Sequence, residues 1–250
     1  MSLRRRIDEL RLGMMMLTRL PMGRLADPAP TLAQARWSFP LVGLPLGFVA
    51  WAVLAGAQAL ELPPLAAGFA ALAVLASLTG GLHHDGFADF ADGMGGRDRA
   101  HRLEIMRDSR VGSYGVIALI LAAGLGASAL SALPVTAWGA LLLVSLTSRL
   151  AMLVLLDLMP PARRDGLGQM AATARDTLPW RAWLPGGLLA LCAALVVGMA
   201  ALPVLAAMAL AAAWVAWRAR RLLGGQTGDV LGAAQLASET AGWLALAAVL

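Results

Sequence analysis

Long stretches of this chain carry no charge, and that restricts its fold more than any other feature. A helix of about 20 apolar residues rises about 30 Å, the depth of a bilayer's hydrocarbon core, and satisfies its own backbone hydrogen bonds on the way. Such stretches are predicted at residues 41 to 60, 65 to 82, 115 to 133, 138 to 159, 184 to 202 and 203 to 217, with a seventh apolar helix from 234 to 250. The clearly apolar part of the seventh, Ala241 to Leu250, is too short to cross alone, so that helix reads as re-entrant or packed between the others. With 59% hydrophobic and 14% charged residues and a mean hydropathy of +0.72, no soluble domain can be cut out of the sequence. The expected fold is all-α, a polytopic integral membrane bundle of six to seven spans forming one domain over residues 1 to 250.

The charges that remain are distributed unevenly. All 20 basic residues are Arg. Twelve of them gather in three long connectors, with Arg97, Arg99, Arg102, Arg107 and Arg110 in one, Arg163, Arg164, Arg175 and Arg181 in the next, and Arg218, Arg220 and Arg221 in the third. The connectors Glu61 to Pro64 and Pro134 to Ala137, and the turn expected at Pro203, carry none. By the positive-inside rule the N-terminus and the long connectors face the cytoplasm. The same asymmetry explains a pI near 11.1 without a nucleic-acid partner. Trp37, Trp138, Trp180, Trp183 and Trp217 fall near predicted span ends, as an aromatic belt requires. Leu3, Ile7, Leu10, Met14 and Leu17 recur at helical spacing against Arg4, Arg5, Arg6, Asp8, Glu9 and Arg11, which predicts an amphipathic interfacial helix rather than a signal peptide. Cys192 stands alone, which rules out an intramolecular disulfide or a cysteine-based zinc site, and it reads as a packing residue.

Against this apolar background the segment Gly80 to Gly93 crowds ionisable groups together. Asp85, Asp89 and Asp92 stand at i, i+4 and i+7, so a helix brings them to within roughly 40° of one line. Three like charges on one stripe repel unless a cation sits among them, and oxygen ligands of this kind suit a hard ion, with Mg²⁺ first. The plain alternative is a solvated face on a loop helix. Gly80, Gly81, Gly86 and Gly93 keep the backbone open to a ligand, and no Arg stands at i+4 to neutralise the stripe. His83 and His84 precede it, and the spacing reads equally as a general base, a ligand or a hydrogen-bonding spectator.

Further polar groups follow. His101, Glu104 and Asp108 share one side of a predicted helix, offering a further carboxylate or simply pairing with Arg107 and its neighbours. Arg107-Asp108-Ser109-Arg110, followed by Gly112 and Gly115, would suit phosphate oxygens. Arg149 lies inside the fourth span and must face the bundle interior; its partner is Asp85, Asp92 or a substrate phosphate in one reading, and Asp157 in the other. Gly228-Asp229-Val230-Leu231-Gly232-Ala233 closes the last connector, with Glu239 beyond it.

At these residues the chain resembles the adenosylcobinamide-GDP ribazoletransferase (cobalamin synthase) family over nearly its whole length. The resemblance is carried by Leu17-Thr18-Arg19-Leu20-Pro21, Phe39-Pro40-Leu41-Val42-Gly43, Gly81-Leu82-His83-x-Asp85-Gly86-x-x-Asp89-x-x-Asp92-Gly93, Arg102-Leu103-Glu104-Ile105-Met106-Arg107-Asp108-Ser109-Arg110-x-Gly112, and Gly228 to Ala233 with Glu239. Phe87 and Phe90 depart from it, standing where Leu and a small residue are expected. The resemblance implies a multi-pass enzyme of the bacterial inner membrane, active at the cytoplasmic side. It would join GDP-activated cobinamide to α-ribazole or its 5′-phosphate, release GMP and depend on Mg²⁺. It further implies catalytic roles for His83, Asp85, Asp89 and Asp92, a metal set of those three Asp with Glu104 and Asp108, and substrate contacts at Arg19, Arg107, Arg110, Arg149, Asp229 and Glu239. Lipid, a second copy of the chain and other late enzymes of cobalamin assembly are the expected partners.

Two rivals remain. A CDP-alcohol phosphotransferase would need Asp-Gly-x-x-Ala-Arg, but Asp89 and Phe90 follow Ala88. An ion-coupled transporter would line a path with Asp85, Asp89 and Arg149, yet the acidic stripe falls at the membrane edge and paired broken spans are missing from the sequence.

Overall fold

The computed structural model describes residues 2–163, 166, 170–171 and 180–250; Arg164 and Arg175 of the second basic connector lie outside them. Eleven α-helices follow in order among the described residues: α1 (Leu3–Leu17), α2 (Leu32–Ala35), α3 (Gly43–Ala59), α4 (Pro64–Thr79), α5 (Leu82–Met94), α6 (Arg99–Ile105), α7 (Ser113–Ser131), α8 (Trp138–Leu158), α9 (Trp180–Val197), α10 (Ala201–Leu223) and α11 (Gly228–Val249). No strand occurs among the described residues; Pro161 and Gln226 form one isolated bridge. The protein is the all-α polytopic membrane bundle that its apolar runs imply.

Four stretches are long and apolar enough to cross a membrane, or five if α4 and the helix it bends into form one broken span. The longest, Trp180–Leu223, has 44 residues and folds back on itself. Trp183 near its start donates to Asp157 at the end of α8, whereas Val196 packs on Gly139 at the start of α8. The carbonyl of Leu223 then returns to the level of Ala162, both accepting from Arg99. The reversal falls at Gly198–Ala200 and not at Pro203: Gly198 adopts φ +73°, and Pro203 sits in the first turn of α10, where a missing N–H costs nothing.

Close helix contacts use small residues, as expected where lipid supplies no hydrophobic drive to association. Gly43 and Gly47 of α3 lie directly against the backbone of Ser145 and Leu141 in α8, and Gly68 of α4 against Ala127 of α7. The centre of the bundle is α11, which packs on α5, α7, α8 and α10 and buries Val230, Ala233, Gln235, Ser238, Trp243 and Leu246. The seventh helix is therefore packed between the others, and its polar residues are tolerable because protein rather than lipid surrounds them.

In α1 the acidic residues turn inward. Asp8 and Glu9 are buried, and Glu9 Oε2 accepts from Trp37 Nε1 at 2.7 Å and from Arg6 Nη1 at 2.8 Å. Leu3 and Ile7 stay exposed while Leu17 enters the core, so the outward apolar strip is shorter than the periodicity predicts. Cys192, read as a packing residue, is exposed on α9, a helix whose buried residues are few. Phe90 is buried in the core with Phe87 packed against it, which accommodates the two bulky departures from the family pattern.

Candidate functional site at the arginine-rich end of the bundle

The site begins where α4 stops. Gly80 and Gly81 both take positive φ (63° and 72°), their N–H groups close the last turn of α4 onto Ser77 and Ala76, and α5 leaves at 94° to α4. At 13 residues, α5 rises about 20 Å and packs between α7 and α11, with Ala88 against Gly115 of α7, Gly86 against Asp229 of α11, and His84 sharing a cavity with Leu236, Thr240 and Trp243. Gly86 permits the close crossing with α11, since a methyl group there would lie 3.0 Å from Cα of Asp229.

A second set of bonds fixes what stands opposite. Gln226 N–H donates to Pro160 O, and Ala162 N–H to Gln226 O, both at 2.8 Å, which docks the start of the connector after α8 beside the start of α11. Thr227 caps α11 by accepting from Val230 N–H at 3.3 Å, and the Asp229 carboxylate favours the positive end of the helix. Arg163 consequently meets Asp229, Nη2 to Oδ2, at 2.8 Å.

Asp85, Asp89 and Asp229 are thus brought together. Burial first, then the charges of Asp85, Asp229 and Asp92, push the Asp89 carboxyl up to about 7, and Arg163 only partly opposes them. Asp85 is exposed, and His83 beneath it is buried with Nε2 lacking a hydrogen-bond partner. Two cavities flank Asp85. One, of about 690 Å³ including its mouth, is lined by His83, Asp85 and Asp229 and by a majority of apolar residues, among them Leu17, Phe39, Met152, Leu156 and Leu231. The other, of about 1160 Å³ including open space, is lined by Arg19, Gly80, Gly81, Asp85 and Val111. Met16, Leu82 and Asp85 belong to both and form the wall between them.

The remaining candidates are placed elsewhere. Asp92 is buried and serves α7, accepting from Gly112 N–H at 2.7 Å and Gly115 N–H at 2.9 Å. Asp108 lies beyond the end of α6, exposed and held by Arg110 Nη2 at 2.8 Å, while Glu104 is exposed on α6. Arg107 and Arg110 are also exposed. Arg149 is paired neither with the stripe nor with Asp157: its Nη1 donates to Glu239 Oε1 at 3.0 Å and to Ser145 O at 2.9 Å inside the bundle. Asp157 instead takes Arg36 at 3.1 Å and Trp183 Nε1 at 2.9 Å. Sequence reasoning noted Arg163 only as a connector arginine, because no local spacing links it to Asp229. The apolar cavity was also out of reach, its lining being drawn from α1, α2, α5, α8, α11, the turn around Phe39 and Ala171 of the connector after α8.

Among the described residues no three His, Cys, Asp or Glu side chains converge tightly enough to grip a metal ion unaided. Mg²⁺ is commonly held by one or two carboxylates with substrate phosphates and water completing the set, and the under-neutralised group of Asp85, Asp89 and Asp229 fits that pattern.

Fold and site together define a polytopic membrane protein with an acidic centre between two cavities at one end of its bundle. The chain belongs to the cobalamin-5-phosphate synthase family, whose model matches residues 9–247. It is 41% identical to the adenosylcobinamide-GDP ribazoletransferase of Bradyrhizobium diazoefficiens over 95% of this chain and 92% of that one. The proteins of the same name from Azorhizobium caulinodans and Rhizobium meliloti are 41% and 43% identical, over 89% and 86% of this chain and 88% and 87% of theirs. No solved structure matches the chain.

Proposed function

We propose that this protein transfers the cobinamide phosphate of adenosylcobinamide-GDP to α-ribazole or its 5′-phosphate, giving adenosylcobalamin or its 5′-phosphate and GMP. The observation that carries the reading is the position of Asp85 on the wall between the cavity that Arg19 borders and the apolar cavity, with Asp229 lining the latter and Asp89 beside them, in a chain of this family. A ribazole hydroxyl oxygen bonds to the phosphorus that bears cobinamide, and the bond from that phosphorus to the GMP oxygen breaks. Asp85, the exposed carboxylate on the shared wall, is placed to take the hydroxyl proton.

Asp89 and Asp229, with Asp85 beside them, are the residues that would hold Mg²⁺, which supplies positive charge to the diphosphate oxygens as the leaving group departs. Arg19 borders the polar cavity and supplies a fixed positive charge for phosphate there. His83, buried at 3% exposure, lines the apolar cavity beside Asp85 and serves there as a positioning residue. Arginines at this end of the bundle favour its placement on the cytoplasmic face of a bacterial inner membrane, where water-soluble GMP can leave and the large corrinoid can rest at the lipid surface.

The test is to incubate detergent-purified protein with GDP-cobinamide, α-ribazole and Mg²⁺ and to measure GMP. Release of GMP that requires both organic substrates is expected; hydrolysis without the acceptor, or no release, overturns the reading.

A further inference from the structure

We infer that the apolar cavity between α1, α5, α8 and α11 is the subsite for the aromatic base of the acceptor, and that its apolar wall sets which bases are accepted. The inference rests on the transferase reading above and concerns where within that site the acceptor lies.

Three observations carry it. The cavity is lined mostly by apolar side chains, Leu17, Phe39, Met152, Leu156 and Leu231 among them, all at most 9% exposed, and its charged lining residues are Asp85 and Asp229. It shares the Asp85 wall with the larger cavity beside Arg19, so molecules occupying the two meet at that carboxylate and nowhere else along the shared wall that is charged. Its apolar lining comes from helices that pack in the core, Leu17 closing α1, Met152 and Leu156 in α8 and Leu231 in α11, with Phe39 from the 3₁₀ turns and Leu32 and Ala171 completing it.

An acceptor with its hydroxyl at Asp85 must direct its base away from the carboxylates within the span of one ribose ring. A charged or strongly polar base would lose its hydration against these side chains without gaining partners, whereas a benzimidazole carrying methyl groups loses nothing. The GDP half of the other substrate belongs in the cavity that Arg19 borders, because a diphosphate requires a cationic partner and the charged residues lining the apolar slot are both carboxylates, Asp85 and Asp229. The slot therefore selects by size and polarity, and its resolution is that of a hydrophobic pocket, about 10- to 200-fold per methylene group gained or lost.

The experiment uses the full chain in detergent with three α-ribosides, those of benzimidazole, 5,6-dimethylbenzimidazole and a larger naphthimidazole, at saturating GDP-cobinamide. Leu231→Phe, which narrows the slot, is expected to raise KM for the dimethylbenzimidazole riboside at least about tenfold while changing KM for the benzimidazole riboside less than about threefold. Leu156→Ala, which widens it, is expected to improve kcat/KM for the naphthimidazole riboside about tenfold relative to the dimethylbenzimidazole riboside. KM for GDP-cobinamide should stay unchanged in both. Parallel shifts for all three ribosides, or a shift confined to GDP-cobinamide, overturn the subsite while leaving the transferase reading intact. Wild-type protein that releases no GMP with any riboside defeats the transferase reading itself. Because the two variants change the cavity in opposite senses, a folding defect in one leaves the other to decide.

Discussion

Replacing Arg149 with Leu removes the positive half of an ion pair that lies inside the bundle. The side chains of Arg149 and Glu239 are 2% and 7% exposed, and their separation is 3.0 Å. Once Arg149 is gone, the hydrogen bonds that the Glu239 carboxylate keeps among the described residues are those from the hydroxyls of Ser145 at 3.4 Å and Ser148 at 3.5 Å. Breaking a buried pair from one side costs about 3–5 kcal/mol, because the surviving charge stays desolvated or must take up a proton. That is roughly two to four orders of magnitude in an unfolding equilibrium. Removing both charges, as in Arg149→Leu with Glu239→Gln, relieves most of the penalty, since neutral replacements of buried pairs are often nearly isoenergetic. Reversible unfolding in mixed micelles, followed by circular dichroism for the wild type, both single variants and the double variant, gives a coupling energy; more than about 2 kcal/mol is expected. Neither residue lines either cavity, so the double variant should also keep its KM for GDP-cobinamide. An Arg149→Leu protein as stable as wild type but unable to turn over would refute this and return Arg149 to the substrate.

Four further outcomes are expected. Asp85→Asn should cut turnover by about 10²- to 10³-fold with little loss of stability, whereas Asp92→Asn should weaken the start of α7 by about 1.5–3 kcal/mol, seen as a lower unfolding midpoint; the reverse pattern would exchange their roles. His83→Ala should lower turnover by a factor that is flat with pH, since Nε2 is sealed from solvent; a defect that shrinks as pH rises would make His83 the base. The raised Asp89 carboxyl binds its proton more tightly folded than unfolded, so without Mg²⁺ its contribution to stability is largest at low pH and is lost as pH rises from about 4 to about 7. Asp89→Asn or added Mg²⁺ should flatten that slope, and a slope unchanged by both would count against the carboxylate cluster. Finally, in a Cys192→Ser background a cysteine at Arg97 should resist impermeant reagent applied from the periplasmic side, and ready labelling there would invert the proposed topology.

Much of this protein was decided by local pattern. Uncharged runs determine helices in a membrane whatever their neighbours, because a backbone in hydrocarbon has no other way to satisfy its polar groups. The i, i+4, i+7 spacing of Asp85, Asp89 and Asp92 likewise set them on one side of α5, and Gly80-Gly81 marked the break before it. What those carboxylates do was decided by contacts distant in sequence. Asp92 is drawn off by the free N–H groups of α7, Asp229 is brought in by the crossing at Gly86, and Arg163 arrives through the backbone bonds between Pro160, Gln226 and Ala162. The partner of Arg149 was settled the same way, 90 residues along the chain, by the central position of α11. Spacing within one helix is fixed by covalent geometry, but which helices cross, and where, depends on small residues and buried polar groups meeting from both sides, so those pairings exist only once the bundle has assembled.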